Sequence, residues 1–164
     1  MILSKIEYVN LLPFQIYVKQ SSLSSKFKQS INYKKSYPSK INQDFRYRRV
    51  NAAFISSIKA EKEICSNIGI VARDEVLSVL VLEGKSIDDI ESSTSNILAK
   101  VLEQKGKILI GDKALKYFYS KEENEIDFID LALLWKVKYN LPFVFALFCF
   151  NSDKTFFKKL SKGF

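Results

Sequence analysis

The sequence predicts an α/β protein with a parallel or mostly parallel sheet, and three observations carry that prediction. Strand-like and helix-like patterns alternate along the 164 residues, the order that lets helices cover the faces of a parallel sheet. The run Phe143 to Phe150 is continuously apolar and rich in aromatics, as suits a strand covered on both faces. The segment before it, from Asp130, reads as an amphipathic helix that stops at Asn140-Leu141-Pro142. Asn140 can take the left-handed cap conformation, and Pro142 cannot continue a helix.

The elements follow in order. Leu3 to Val9 alternates enough for a first strand, and Asn10 is a natural N-cap for a helix over Leu11 to Lys19. Pro13 falls in that helix's first turn, where a missing N–H costs little. Ser21 to Tyr37 is polar, basic and serine-rich and reads as a loop with at most one marginal strand. Ser39 caps a helix to about Arg48, Asn51 to Ile55 is a short buried strand, and Ser57 to Ser66 is helical. Ile68 to Val71 and Val76 to Leu82 are strands separated by the charged turn Arg73-Asp74-Glu75. Ser93 or Thr94 caps a helix to about Gln104, with Ile97, Leu98, Val101 and Leu102 as its apolar stripe. Lys105-Gly106-Lys107 turns the chain into a strand over Ile108 to Gly111. Helices over Lys113 to Tyr119 and Asp127 to Tyr139 precede the Phe143–Phe150 strand, and Ser152 or Asp153 caps a last helix over Lys154 to Leu160.

Composition fits one protein of modest size that can bury a core, with 47% hydrophobic residues. No segment approaches the ~20 apolar residues needed to span a bilayer. The first residues lack the pattern of a secretory signal, so a cytoplasmic location and no membrane partner are expected. Cys65, in a helical stretch, and Cys149, in a strand, read as reduced core residues. The net charge of +8 comes largely from lysines and arginines in the first third and near the end. It reads as a solvated, lysine-rich surface, with attraction of an anionic substrate as the functional alternative. Aromatics interleave with these bases, yet no recognition-helix or sheet-platform motif accompanies them, so no nucleic-acid partner is expected.

The absence of histidine constrains any chemistry. It removes the usual general base near neutral pH, and no Cys/Asp/Glu cluster has metal-ligand spacing. Only five glycines are present, with no phosphate-binding loop among them. No metal and no cofactor are expected, and an enzyme built from this chain must work by positioning and neutral hydrogen bonds, or with a base carried by the substrate.

The wording of several segments is more specific than their pattern. Leu141-Pro142-Phe143-Val144-Phe145-Ala146 and Tyr8-Val9-Asn10-Leu11-Leu12-Pro13-Phe14 resemble the chorismate dehydratases of the futalosine route to menaquinone. So do Pro38 to Asn42 with Val50 to Ser57, Gly69-Ile70-Val71 with Val76 to Leu80, Ser93-Thr94-Ser95, and Ile108 to Leu115, all in the family's order. The resemblance implies a two-lobed fold like the type 2 periplasmic binding proteins, hinged around a cleft. Residues 1–82 and 143–164 would form lobe one and 83–142 lobe two. By the same comparison the second lobe and the C-terminus are reduced, and lobe two, at about sixty residues, is marginal for a separate core.

The implied activity is a cofactor-free hydro-lyase that turns chorismate into 3-[(1-carboxyvinyl)oxy]benzoate and water. The alternatives are a small-carboxylate binding module and an inactive truncated remnant of the same family. The resemblance assigns Asn10 to the active site, where it would bond the departing hydroxyl or the enolpyruvyl carboxylate. The residues alone read it as a helix cap. Ser93, Thr94 and Ser95 open a helix, and free N–H groups with hydroxyls at such a start form an anion site. Ser56 and Ser57 stand at the carboxyl end of a strand, where ligands bind in open α/β sheets. Ser78 lies in a strand near the lobe crossing, and Asp112 is a cap that also reaches the cleft edge. All seven are substrate-binding candidates.

Overall fold

The computed structural model describes residues 1–33, 35–120 and 127–164. The helices are α1 (Leu12–Gln20), α2 (Ser25–Tyr33), α3 (Pro38–Arg46), α4 (Ser57–Ala60), α5 (Ser93–Val101), α6 (Asp112–Ser120), α7 (Leu131–Tyr139) and α8 (Lys154–Lys162). The strands are β1 (Ala52–Ser56), β2 (Cys65–Ala72), β3 (Val79–Leu82), β4 (Lys107–Ile110), β5 (Phe128–Asp130) and β6 (Phe143–Phe150). They form two three-stranded sheets, ordered β1-β6-β2 and β4-β3-β5.

The chain is mixed α/β, but its sheets are not the parallel ones that the alternation predicts. β1 pairs antiparallel with β6, and β3 pairs antiparallel with both β4 and β5. Among the described residues, parallel pairing is seen in isolated bridges such as Leu3 with Ala52 and Lys5 with Lys35. Those bridges are all that remains of the expected first strand. Alternation of element types fixes neither the order nor the sense of strands when a later strand inserts between earlier ones, as β6 does between β1 and β2.

The chain divides into two compact units, Met1–Ile70 with Ala146–Phe164, and Val71–Phe145. The core of the first is aromatic. Phe14 of α1 meets Phe54 of β1 at 5.2 Å and Phe148 of β6 at 5.0 Å between ring centroids. Phe150 and Phe157 stack at 5.8 Å and seat α8 on the sheet. Burial of such rings supplies the main driving force here, on the order of 2–3 kcal/mol for each. In the second unit Leu80 and Leu82 of β3, Leu109 of β4 and Ala114 of α6 make one core cluster, with Tyr117, Phe118 and Phe128 against it.

The β6 strand runs over the predicted residues, and Asn140 ends α7 in the left-handed conformation at φ 53°. Gly106 also meets its expectation as a turn: its φ is 152°, and a Cβ there would collide with the carbonyl oxygen of Leu82. Other boundaries differ. The Ser21–Tyr37 stretch contains the helix α2, whose spaced Phe27 and Ile31 are buried, so tertiary burial overrides its polar composition. The helix expected over Ser57 to Ser66 ends after a single turn at Ala60, and Cys65 already belongs to β2. The helix expected from Asp127 begins at Leu131, behind the short β5.

The cysteine reading is also corrected. Cys65 and Cys149 are disulfide-bonded, with Cα atoms 3.9 Å apart, across 84 residues of sequence. Sequence spacing carries no sign of this, because the pairing arises from β6 lying next to β2 in the sheet.

Candidate functional site

The first unit holds Asn10, Ser56 and Ser57. Asn10 is exposed and sits inside a 3-10 turn over Val9–Leu11, while the N-cap of α1 is Leu11. The cap role read from sequence is therefore wrong: the 3-10 turn moves the helix start past Asn10. Its amide makes no hydrogen bond among the described residues. Ser56 is buried at the end of β1 and held in a reciprocal pair with Asn42. Asn42 Nδ2 donates to Ser56 Oγ at 2.8 Å, and the Ser56 N–H donates to Asn42 Oδ1 at 3.1 Å. Ser57, half-buried, opens α4.

The second unit holds Ser78, Ser93, Thr94, Ser95 and Asp112, and its hydrogen bonds tie their segments together. The Gly111 N–H donates to the Ser78 carbonyl at 2.8 Å, joining the residue before β3 to the start of α6. Ser78 thus precedes the strand that was expected to contain it. Asp112 is exposed as the first residue of α6. Beside it, Lys113 Nζ reaches Asp89 at 2.6 Å and Glu91 at 3.3 Å, in the loop leading to α5. Asp89 is buried, and Asn96 of α5 clamps its backbone, accepting its N–H at 3.0 Å and donating to its carbonyl at 2.8 Å. Burial disfavours the charge on Lys113, yet the hydrogen bonds and charges of Asp89 and then Glu91 outweigh it and hold the ammonium above its usual pKa.

The cap of α5 is neither Ser93 nor Thr94 but Ser92. Its Oγ accepts the Ser95 N–H at 3.2 Å and lies 2.9 Å from Ser95 Oγ. Four consecutive Ser/Thr residues each fit the cap preference, so sequence alone does not select among them. The consequence is chemical. Thr94 falls in the first turn, 2% exposed, and its hydroxyl has no hydrogen-bond partner among the described residues. A buried hydroxyl without a partner costs on the order of 1–3 kcal/mol, and at a helix start it faces the positive end of the dipole. That combination suits an anionic oxygen.

Residues that the sequence reading missed are the ones that fix this geometry. Asp130 is buried and caps α7 through Oδ1, which accepts from Ala132 at 2.9 Å and Leu133 at 3.0 Å. An aspartate directly before an apolar helix is a cap signal that could have found it. The Asn42–Ser56, Asp89–Lys113 and Asp130–Leu77 pairings are long-range, and no local pattern announces them.

The family model for menaquinone biosynthesis matches residues 88–162. A chorismate dehydratase of Campylobacter jejuni is 48% identical over 167 aligned positions, which cover the whole of this chain and 74% of that relative. With identity at this level along its full length, the chain belongs to the chorismate dehydratase family.

Proposed function

We propose that this chain removes water from chorismate to give 3-[(1-carboxyvinyl)oxy]benzoate, as a step of menaquinone biosynthesis. The identity with a chorismate dehydratase across the whole chain carries the reading. Within the chain, the buried and unpartnered Thr94 hydroxyl supports it, because chorismate offers carboxylates for such a donor. This chemistry does not require a histidine in the chain. The enolpyruvyl carboxylate of the substrate lies close to the ring carbon that loses its proton. That carboxylate takes the proton as the neighbouring C–O bond breaks and passes it to the departing hydroxide, which leaves as water while the carboxylate is restored and the ring becomes aromatic. What the protein must supply is alignment of the arm over the ring and a donor for the leaving oxygen.

In this reading Asn10, with its amide free, bonds the leaving hydroxyl or the enolpyruvyl carboxylate. Ser93 and Thr94 present hydroxyls and helix-start N–H groups to a carboxylate, Ser95, its N–H held by the Ser92 cap, adds at most its hydroxyl, and Ser56, Ser57, Ser78 and Asp112 are the remaining contacts. In the same reading the two units correspond to the two lobes of a periplasmic-binding-protein-like fold, the first built from both chain ends. No described helix is long and apolar enough to cross a membrane. A cytoplasmic location agrees with the soluble dianionic substrate.

The test is incubation of the purified chain with chorismate while the aromatic product is followed by absorbance and chromatography. Product formation that depends on protein concentration supports the reading. Saturable chorismate binding without product makes the chain a carboxylate-binding module instead, and neither binding nor product removes chorismate as its ligand.

A further inference from the structure

The chain leaves the first unit after Ile70 and returns to it at Ala146. Both crossings fall inside strands, β2 and β6, which are neighbours in the sheet ordered β1-β6-β2. The Cys65–Cys149 disulfide fastens these two strands to each other. It spans 84 residues of sequence and encloses the whole of the second unit. Beside it, the Phe150 N–H donates to the Ile64 carbonyl at 2.9 Å and the Ser66 hydroxyl to the Phe148 carbonyl at 3.3 Å. Burial does little to hold β2. β1 is buried along its whole length, whereas β2 is half-buried or exposed until its last residue, Ala72. An outer strand with so little burial gains little from the hydrophobic effect, so a covalent tie to the central strand contributes much of what keeps it in place. The two cysteines differ in access. Cys149 is fully buried, with buried Phe148 and Phe150 on either side in β6, whereas Cys65 is only partly buried. A small thiol therefore meets the bond at Cys65. Cys149 Sγ lies 3.4 Å from the Leu147 carbonyl oxygen, an acceptor for its S–H once the bond is open.

We propose that the Cys65–Cys149 bond is a reversible redox switch that fastens and loosens the two strands between which the second unit is inserted. In a reducing cytoplasm a disulfide is ordinarily transient and redox-sensing rather than permanent. The switch goes beyond the substrate reading and shares with it only the cytoplasmic location. Its exchange partner is a small thiol–disulfide couple of the glutathione class. One thiolate attacks Cys65 Sγ, the S–S bond breaks, and Cys149 leaves as a thiolate. A second thiolate attacks the small molecule's sulfur in the mixed disulfide, which releases Cys65 and one molecule of the oxidised couple. Each cysteine sulfur takes a proton, so two electrons pass from two small thiols to the protein. Oxidation runs the same steps in reverse. In the oxidised chain β2 cannot part from β6 even when the residues between them open. In the reduced chain hydrogen bonds and partial burial alone hold the outer strand.

The test uses the full wild-type chain in oxidised or reduced glutathione, without denaturant. Cys65 and Cys149 are its only cysteines, so alkylation followed by intact mass reads the bond directly. Oxidised chains should take no label and reduced chains should be labelled at both cysteines, and exchanging the couple should reverse the result. A cross-link over so long a loop restricts the unfolded chain, so reduction should lower the melting temperature by about 10 °C. Hydrogen exchange in peptides from β2 and β6 should quicken by about tenfold on reduction. Cys65→Ser should melt with the reduced wild type and ignore the couple; the wild-type comparison carries the test if that variant does not fold. Labelling of both cysteines in oxidised glutathione means that the bond does not form, and labelling only in denaturant means that it is permanent. Either result overturns the switch. A bond that opens and closes while melting temperature and exchange stay the same fastens nothing, and overturns it as well. Chorismate enters none of these measurements, so their failure leaves the substrate reading intact.

Discussion

Asp130 Oδ2 accepts the backbone N–H of Leu77 at 2.7 Å, and the same oxygen takes the Val76 N–H at 2.9 Å. With Oδ1 capping α7, this one buried carboxylate receives four N–H groups. Leu77 stands at φ 54°, a left-handed conformation that costs a non-glycine residue on the order of 1 kcal/mol or more. Asp130 offsets that cost and fixes the backbone immediately before Ser78. Asp130→Asn keeps the shape but turns an NH₂ toward one pair of N–H donors. Two charge-assisted bonds are lost whichever way the amide points, so unfolding by urea should show a loss of about 3 kcal/mol or more. A loss under 1 kcal/mol would mean that the carboxylate is not what holds this turn.

Thr94→Val replaces an unpartnered hydroxyl by a methyl of the same shape. Removing a buried, unsatisfied polar group is neutral or stabilising, so the melting temperature should hold or rise. The KM for chorismate should rise about tenfold, and Thr94→Ser should restore it. A drop in stability with unchanged KM would show that the hydroxyl serves the fold.

Asn10→Asp bears on the chemistry. Because Asn10 is exposed and caps no helix, the change should leave stability within about 0.5 kcal/mol. It places a negative charge beside a dianionic substrate and removes an amide donor, so turnover should fall by about a hundredfold. Full turnover in the variant would take Asn10 out of the reaction.

Lys113→Met tests the clamp on the loop before α5. The Lys113 pKa is raised in the folded chain, so its stabilising contribution is complete below the ordinary value of 10.5 and is lost as pH rises through the folded value. At neutral pH the variant should be less stable by on the order of 1 kcal/mol, a modest figure because the ammonium is partly exposed. The wild-type advantage should shrink in the alkaline limb above 10.5. Parallel stability curves for the two proteins across that limb would disprove the assignment.

The sequence by itself determined the local features. The apolar run of β6, the left-handed stop at Asn140 and the turn at Gly106 each follow from residue chemistry within a few positions, and each stands where the pattern put it. Family membership was equally legible, since it resides in the wording of short segments. Strand sense was decided only by tertiary structure: β6 enters between β1 and β2 as its aromatics bury against Phe14, far from it in sequence, as well as against Phe157 just after it. The same holds for the choice of Ser92 over its neighbours as cap and for the joining of Cys65 to Cys149. It holds too for Asp130, whose carboxylate reaches back more than fifty residues to Val76 and Leu77. Local propensity offers several near-equal solutions at such places, and long-range burial and hydrogen bonding select one.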